Sequence, residues 1–235
     1  MSLAAAFGFC CVGVSAGPVR AGDDGSHFLF FSGTDLWRDG RFMHGGVLWS
    51  PGWLEREGFT LQAVFSGGQY RYQSGALNNA RVVGIEEEVQ LLPGWRFKRG
   101  ALELKFFAGL DIKNNLTIPD DPSNRLHGTS AGARVAVNLW YEPTPSTMLA
   151  ADASLTTIAT GYSARLAYGW KLNDWFYLGP EAQNFACLGY RQVRVGAHLT
   201  ALKTGAYEWS AAAGWASASD SRPGAYVRLG VLMRR

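Results

Sequence analysis

Few side chains in this 235-residue chain have the types and spacing that enzymes use. The four histidines, His27, His44, His127 and His198, are scattered, and none shows the short spacing of a metal site. His198 and Ser210 fall on adjacent predicted strands with the same facing, which leaves a serine nucleophile with a histidine base as a minor alternative. Asp35, Asp111 and Glu181 could cleave a glycoside as a carboxylate pair, but nothing in their spacing brings two of them together. The sequence therefore predicts no enzyme, no metal and no cofactor.

A second group of charged residues is spread along the chain, at one or two positions in each of several predicted strands. Its members are Arg134, Arg165, Arg194, Arg228, Lys105 and Lys171, with the acids Glu103, Asp111, Glu181 and Glu208. Charges on one face of a strand are tolerated where water reaches them or where they pair with each other. Two interpretations stay open: a salt-bridged plug, or a polar track for a hydrophilic polymer with Tyr and Trp rings as stacking surfaces.

The elements that would hold these charges are strands with a period of two. In the block from Arg191 to Ala201, one face carries Val193, Val195, Ala197, Leu199 and Ala201, and the other carries Gln192, Arg194, Gly196, His198 and Thr200. Such alternation places one face in an apolar medium and the other in a polar one. Repeated along a whole chain behind a secretion signal, it is typical of a transmembrane β-barrel.

We predict twelve extended segments with turn residues between many of them. The segments are 27–37, 41–50, 58–72, 80–92, 100–113, 127–141, 147–158, 161–171, 174–184, 189–202, 205–217 and 223–233. Tight turns are expected at Gly40, Gly100, Gly161, Asn173-Asp174 and Gly205, because glycine, asparagine and aspartate tolerate positive φ. The connections 73–79 and 114–124 are predicted to be longer and more polar. This pattern predicts an all-β fold: a single antiparallel up-and-down transmembrane β-barrel of about twelve strands.

The composition agrees with a barrel in a membrane. Charged residues make up 17 %, compared with about 25 % in typical soluble domains, and aromatic residues make up 13 %. Aromatic residues gather near strand ends, as in interfacial girdles; they are Trp37, Trp49, Trp53, Trp95, Trp140, Tyr141, Trp170, Trp175, Tyr177, Tyr207, Trp209 and Trp215. The net charge is only +3 and the chain has no run of basic residues, so the sequence does not indicate binding to nucleic acid. A soluble β-sandwich is the competing fold, although one continuous meander does not favour it.

The first residues predict a secretory leader. An apolar stretch, 4–16, ends in a small-residue site, so we expect a signal peptide over 1–21, cleaved near Ala16 or Ala21, and a barrel over 22–235. The mature chain then has one cysteine, Cys187, which cannot form an internal disulfide and is expected to be structural. In segment 80–92, Glu87 opposes the facing of its two glutamate neighbours and is expected to lie outside the lipid belt.

Several segments resemble one family. They are Ser32-Gly33-Thr34-Asp35, Tyr162-Ser163-Ala164-Arg165, Tyr177-Leu178-Gly179-Pro180-Glu181, the stretch from Tyr190 to His198 and the stretch from Glu208 to Trp215. Over about 27–233 the chain is similar to the BcsS-type cellulose biosynthesis proteins of alphaproteobacteria. The resemblance implies a Gram-negative outer-membrane protein that accompanies a cellulose synthase complex, in export or surface anchoring of the β-glucan. It implies contacts with outer-membrane lipid, with cellulose and with other components of that complex.

Three functions therefore stay open. The first is a non-enzymatic barrel for cellulose export or anchoring, with Arg134, Arg165, Arg194, Arg228, Glu181, Glu208, Lys105 and Asp111 lining its lumen. The second is a general porin or a closed scaffold barrel. The third is a lipid- or glycan-modifying outer-membrane enzyme with His198 as its base.

Overall fold

The computed structural model describes residues 25–188, 190–219 and 222–235, so the predicted signal peptide, 1–21, lies outside the described part. The described residues form twelve antiparallel strands in one closed barrel. The strands are β1 (Phe28–Trp37), β2 (Gly40–Trp49), β3 (Gly58–Ser74), β4 (Ala80–Arg99), β5 (Leu102–Ile118), β6 (Gly128–Thr144), β7 (Thr147–Thr156), β8 (Gly161–Leu172), β9 (Phe176–Cys187), β10 (Tyr190–Thr204), β11 (Tyr207–Ala218) and β12 (Gly224–Arg234). The predicted barrel of about twelve strands is confirmed.

The first and last strands close the barrel. β1 pairs with β12 from Leu29↔Arg234 to Trp37↔Tyr226, so the sheet has no free edge. A soluble sandwich would need two separate sheets, and that alternative is wrong. The end at which β1 begins and β12 ends is called the terminal end below, and the opposite end is called the far end.

The outer face of the barrel is apolar. Leu110 is 64 % exposed and Val195 is 59 % exposed, whereas the residues next to them in the chain, Asp111 and Arg194, are buried in the lumen. This arrangement is the reverse of that in a soluble protein, and it is typical of transmembrane barrels, in which apolar side chains face lipid and charged ones face the lumen. No helix among the described residues is long and apolar enough to cross a membrane.

Aromatic rings from one strand cover glycines on the next. The pairs are Tyr70 with Gly84, Phe42 with Gly68, Phe107 with Gly94, Phe31 with Gly46 and Trp37 with Gly40. At each of these glycines an added Cβ would overlap the ring of its partner. The lumen is therefore narrowed by rings that lie flat on the wall, which only glycine permits.

The turns follow the predicted chemistry at four positions. Gly100, Gly205, Asn173 and Asp174 have φ of 58°, 62°, 48° and 59°, in the left-handed region that these residue types accept. Gly40 differs, because it begins β2 and its lack of a side chain makes room for the ring of Trp37.

Two local predictions, the end of β4 and the facing of Ala201, are corrected. β4 continues past the expected end at residue 92 to Arg99, because Pro93 keeps its pairing with Leu61 of β3 while the ladder to β5 is interrupted there. Ala201 does not share the outward face of β10: a register shift between Leu199 and Leu202 lets it pack against an inward cluster.

The aromatic girdle is smaller than the sequence suggests. Trp140 and Tyr177 are buried and pack edge to face with a centroid distance of 6.0 Å, and Trp37 stacks on Phe42 at 5.6 Å. Exposed rings remain at Trp53, Trp95, Tyr141, Trp170, Trp175, Tyr207, Trp209 and Trp215. The period of two decides which face a ring occupies, and these three rings fall on the inward face.

The connection between β5 and β6, 119–127, folds over the far end of the barrel. The hydroxyl of Tyr72 donates to Oδ2 of Asp121 at 2.8 Å, and Asp121 also accepts from the hydroxyl of Ser123 at 2.6 Å. Leu126 belongs to a buried cluster with Ile158 and Cys187. This connection is shorter than predicted, since β5 extends to Ile118.

Candidate functional site

The candidate site is the lumen, where the structure places all eight predicted lining residues. Six of them, Arg134, Arg194, Glu181, Glu208, Lys105 and Asp111, are at most 5 % exposed. The side chains of Arg165 and Arg228 are 14 % and 21 % exposed. A water-filled pore would leave such side chains accessible to solvent, so the lumen is closed around most of them.

One half of the lumen, formed by β3 to β7, is filled by an ion-pair cluster centred on Arg134. Its Nε and Nη2 lie 3.0 and 2.7 Å from Oδ2 of Asp111, and Nη2 also contacts Glu88. Lys113 pairs with Glu86 at 3.0 Å, and its Nζ lies 3.9 Å from Glu88. These five residues, which we call the plug, come from three neighbouring strands and are at most 2 % exposed. Their mutual pairing is what makes the burial of five charges tolerable.

A smaller cluster lies nearer the terminal end. Nζ of Lys105 is 3.0 Å from Oε1 of Glu103, and Nε of Arg96 is 3.6 Å from the same oxygen. Arg96 also donates to the carbonyl of Leu54, which belongs to the connection between β2 and β3. This cluster ties that connection to the wall and adds to the closure of the terminal end.

The other half of the lumen is organised around Glu181 of β9. Its carboxylate lies 3.1 Å from Nη2 of Arg165 and 2.6 Å from Nη2 of Arg228, and it accepts a hydrogen bond from Tyr226 at 3.0 Å. Arg165 also pairs with Asp152 at 3.2 Å. Two arginines therefore share one glutamate, and Arg228 keeps part of its guanidinium accessible.

Arg194 of β10 has the most enclosed guanidinium of this half. Its Nη1 lies within 2.8 Å of both carboxylate oxygens of Asp35, and its Nε donates to Gln192 at 2.7 Å. The guanidinium also sits 4.8, 5.1 and 5.2 Å from the ring centroids of Trp37, Phe185 and Tyr226. Its second terminal nitrogen, Nη2, has no hydrogen-bond partner among the described residues.

A cavity of about 130 Å³ lies in this second half. Its charged lining consists of Asp35, Asp152, Arg165, Arg194, Glu208 and Arg228, with Phe31, Trp140 and Phe185 as aromatic neighbours. Ligand pockets usually measure about 300–1,000 Å³, so this cavity is small for a ligand and has room for a few waters. The lumen as it stands has no space for a polysaccharide chain.

The residues considered for catalysis are engaged in other contacts. Nδ1 of His198 is 2.9 Å from the hydroxyl of Thr200, and Nε2 is 3.1 Å from the carbonyl of Tyr168. In register, His198 faces Ala212, not Ser210. The three carboxylates also separate: Asp35 faces Arg194, Asp111 faces Arg134, and Glu181 faces two arginines.

Sequence reasoning missed several members of the site. Glu86, Glu88, Lys113 and Asp152 are all inward and paired, but they were not included among the lining residues. The alternation of β4 and β5 could have identified the first three, since Glu86 and Glu88 share one face and Lys113 follows Asp111 by two positions. The aromatic contacts of Arg194 join residues from four strands and have no local signature.

Glu87 is exposed on the outer face of β4, opposite Gly67 and Asn114. Thr129 of β6 donates to Oδ1 of Asn114 at 3.3 Å. The outward glutamate therefore has polar neighbours on the outer face.

The fold is shared with solved outer-membrane proteins. An outer membrane channel from Pseudomonas putida F1 is 11 % identical, with a TM-score of 0.56 over 92 % of this chain and 100 % of that one. A KdgM porin is 10 % identical, with a TM-score of 0.52 over 87 % of this chain and 98 % of that one. At these identities the likeness concerns the fold alone. No curated protein sequence gives a significant match.

The family model of cellulose biosynthesis protein BcsS matches residues 29–235, which include all twelve strands apart from Phe28. This range agrees with the resemblance read from the strand segments. The chain therefore belongs to the cellulose biosynthesis protein BcsS family, and its structure is a closed twelve-stranded barrel of the outer-membrane type.

Proposed function

We propose that this chain is a non-enzymatic outer-membrane barrel that anchors the β-glucan of a cellulose synthase complex at the cell surface. The observation that carries the choice of anchoring over export is the closed lumen. Arg134, Asp111 and Glu88 are at most 1 % exposed, and the other half of the lumen holds a cavity of only about 130 Å³, which is too small for a chain of sugars. Family membership supports the link to cellulose, and the apolar outer face supports a place in lipid.

The non-enzymatic role is supported by the contacts that the polar side chains of the lumen already make. Both ring nitrogens of His198 already have partners, and the carboxylates of Asp35 and Glu181 are held by arginines. A general base needs a ring nitrogen or carboxylate that can reach a substrate proton. Among the described residues, no group of three or more His, Cys, Asp or Glu side chains could hold a metal ion.

The experiment is a deletion and complementation in a cellulose-producing bacterium, with cell-attached and released cellulose measured separately. Anchoring predicts that the deletion strain makes cellulose in normal total amount but sheds most of it. The wild-type gene should restore attachment, and Ser210→Ala should restore it equally, because Ser210 has no role in this account. Cellulose that is normal in amount and fully attached without the barrel would contradict a role in cellulose retention.

Export through a gated lumen is a second candidate, which the cavity beside Arg165, Arg194 and Arg228 favours. The unpartnered Nη2 of Arg194 and the accessible part of Arg228 could donate to sugar hydroxyls if this half of the lumen widened. In the deletion experiment, export predicts lower total surface cellulose and accumulation of glucan inside the cell envelope.

A further inference from the structure

The far end of the barrel carries more arginines than acidic residues. Six arginines lie in its turns or within two residues of them, and Arg71 lies four residues before the connection that begins at Gly75. The six are Arg38, Arg41, Arg81, Arg125, Arg191 and Arg222. The acids that the sequence places in the connections at this end are Asp39, Asp120, Asp121 and Asp220. At the terminal end, by contrast, ion pairs join Arg99 to Glu57, Lys171 to Asp174 and Arg234 to Glu208.

Three of these arginines form one patch on the outer face. Arg41 of β2, Arg71 of β3 and Arg81 of β4 are exposed, and the residues next to them, Phe42, Tyr70 and Val82, point into the barrel. Register places Arg41 opposite Gln69, Arg71 opposite Val83 and Arg81 opposite Gln73. We call Arg41, Gln69, Arg71, Gln73 and Arg81 the basic rim.

The guanidinium groups of the basic rim have N–H donors that are not used within the described part of the protein. Nη2 of Arg41 donates to Oε1 of Gln69 at 2.9 Å, and this contact leaves the other guanidinium donors of Arg41 available. The guanidinium groups of Arg71 and Arg81 have no hydrogen bond or ion pair with any described residue. Asp39 of the turn between β1 and β2 adjoins the rim, since its backbone carbonyl accepts a hydrogen bond from the backbone N–H of Arg71 at 2.8 Å. On the outer face, Glu87 lies opposite Gly67, two positions along β3 from Gln69 and towards the terminal end.

Below the rim, the same strands present apolar side chains to lipid, with Glu87 at the level of Met43 because both lie opposite Gly67. Met43 of β2 is 67 % exposed, Phe65 of β3 is 55 % exposed, and Val89 of β4 lies opposite Phe65. An amphiphile that covered these residues with its acyl chains would place its head group against the arginines. Guanidinium groups bind phosphate in a bidentate manner, and amide groups of glutamine suit sugar hydroxyls.

We infer that the basic rim binds the phosphate groups of a phosphorylated glycolipid of the lipid A class in the outer leaflet. Because the three arginines point away from the barrel axis, their partner lies in the membrane and not in the lumen. The inference rests on the proposed outer-membrane location with the terminal end towards the periplasm, as in bacterial outer-membrane barrels. It is independent of the proposed contact with cellulose, which is itself a neutral polymer.

The test is binding of bisphosphorylated lipid A, and of lipid A with both phosphates removed, to the refolded full chain in detergent, observed by native mass spectrometry. The rim variant carries Arg41→Gln, Arg71→Gln and Arg81→Gln. The matched control carries Arg56→Gln, Lys203→Gln and Arg235→Gln, three exposed cations of the terminal end. A heat-dependent gel shift checks that each protein has folded before binding is measured.

We expect the rim variant to bind bisphosphorylated lipid A about tenfold more weakly or worse, because each arginine near an anionic surface contributes roughly a few-fold to tenfold. The control should bind like the wild type, and the wild type should bind the dephosphorylated lipid as weakly as the rim variant binds the intact one. Equal binding by the rim variant, or equal binding of the two lipids, would overturn the inference. Failure of the protein to insert into any lipid would instead count against the outer-membrane location, and loss of cellulose attachment alone would concern only the proposed function.

Discussion

Nη1 of Arg194 lies 2.8 and 2.7 Å from the two carboxylate oxygens of Asp35, although the two residues are 159 positions apart in the chain. Arg194 belongs to β10 and Asp35 to β1, and two strands, β11 and β12, separate them around the wall. The pair therefore crosses the lumen beside the closing seam. It links β10 to β1, two strands that no backbone ladder joins.

Removing one member of this pair should destabilise the barrel strongly. Asp35→Ala leaves the charge of Arg194 buried without its carboxylate, and breaking a buried pair in this way costs about 3–5 kcal/mol. Urea unfolding of the barrel in lipid vesicles measures the effect. The double variant Asp35→Leu with Arg194→Met should recover most of the loss, since it removes both charges. A single variant within about 1 kcal/mol of wild type would mean that water or another group replaces the carboxylate.

The glycine beneath Tyr70 should be intolerant of a side chain. In Gly84→Ala, the new Cβ would overlap the ring of Tyr70, so the ring must move and strain of about 1–3 kcal/mol is expected. Gly67→Ala is the matched control in the neighbouring strand, because an added Cβ there would be 3.5 Å from its nearest atom, an ordinary contact. The two variants are compared by their unfolding midpoints in the same vesicles. Equal midpoints would show that the ring does not need to lie on the glycine.

The connection over the far end should loosen in acid. Burial by itself would raise the pKa of Asp121, but hydrogen bonds from Ser123 and Tyr72 outweigh it and hold the pKa below its ordinary value. A carboxyl group with a depressed folded pKa stabilises the folded connection above the unfolded pKa of about 3.9, and this stability is lost as pH falls through the folded pKa.

Limited proteolysis with an acid-active protease can follow 119–127 between pH 5 and pH 2. The wild-type connection should resist cleavage at the upper end and become susceptible only below about pH 4. In the Asp121→Asn variant, the connection should be cleaved at one rate throughout this range, because position 121 then has no carboxyl group to protonate. If the variant shows the same acid-dependent opening as the wild type, another group controls the connection.

Much of the fold could be predicted from the sequence because the lipid and lumen environments impose a strict period of two. Alternation alone predicts Val193 and Val195 of β10 on one face and Arg194 and His198 on the other, and their exposures agree. Errors arose where the period breaks. The predicted segment 80–92 stops just before Pro93, although β4 continues through it, and the bulge before Leu202 reversed the facing of Ala201.

The partners inside the lumen could not be predicted in the same way. Alternation shows that Arg134 and Asp111 face inward, but the pairing of Arg194 with Asp35 depends on how far neighbouring strands are staggered around the barrel. That stagger is the sum of twelve registers, and an error of one residue in any of them changes the partners. Whether the charges filled the lumen or lined an open track therefore required the structure.

The central claim is that the lumen is sealed and that the plug closes one half of it, and single-channel conductance of the refolded chain in planar bilayers tests this most directly. The wild type should insert without steady conductance, with or without cello-oligosaccharides. The variant Arg134→Ala, Glu88→Ala and Asp111→Ala removes most of the plug and leaves the neutral pair of Lys113 and Glu86, so it should conduct. The variant Val135→Ala, Val89→Ala and Leu110→Ala, on the outer face of the same strands, should stay silent. Steady conductance of the wild type, blocked by cello-oligosaccharides, would contradict the sealed lumen and favour export.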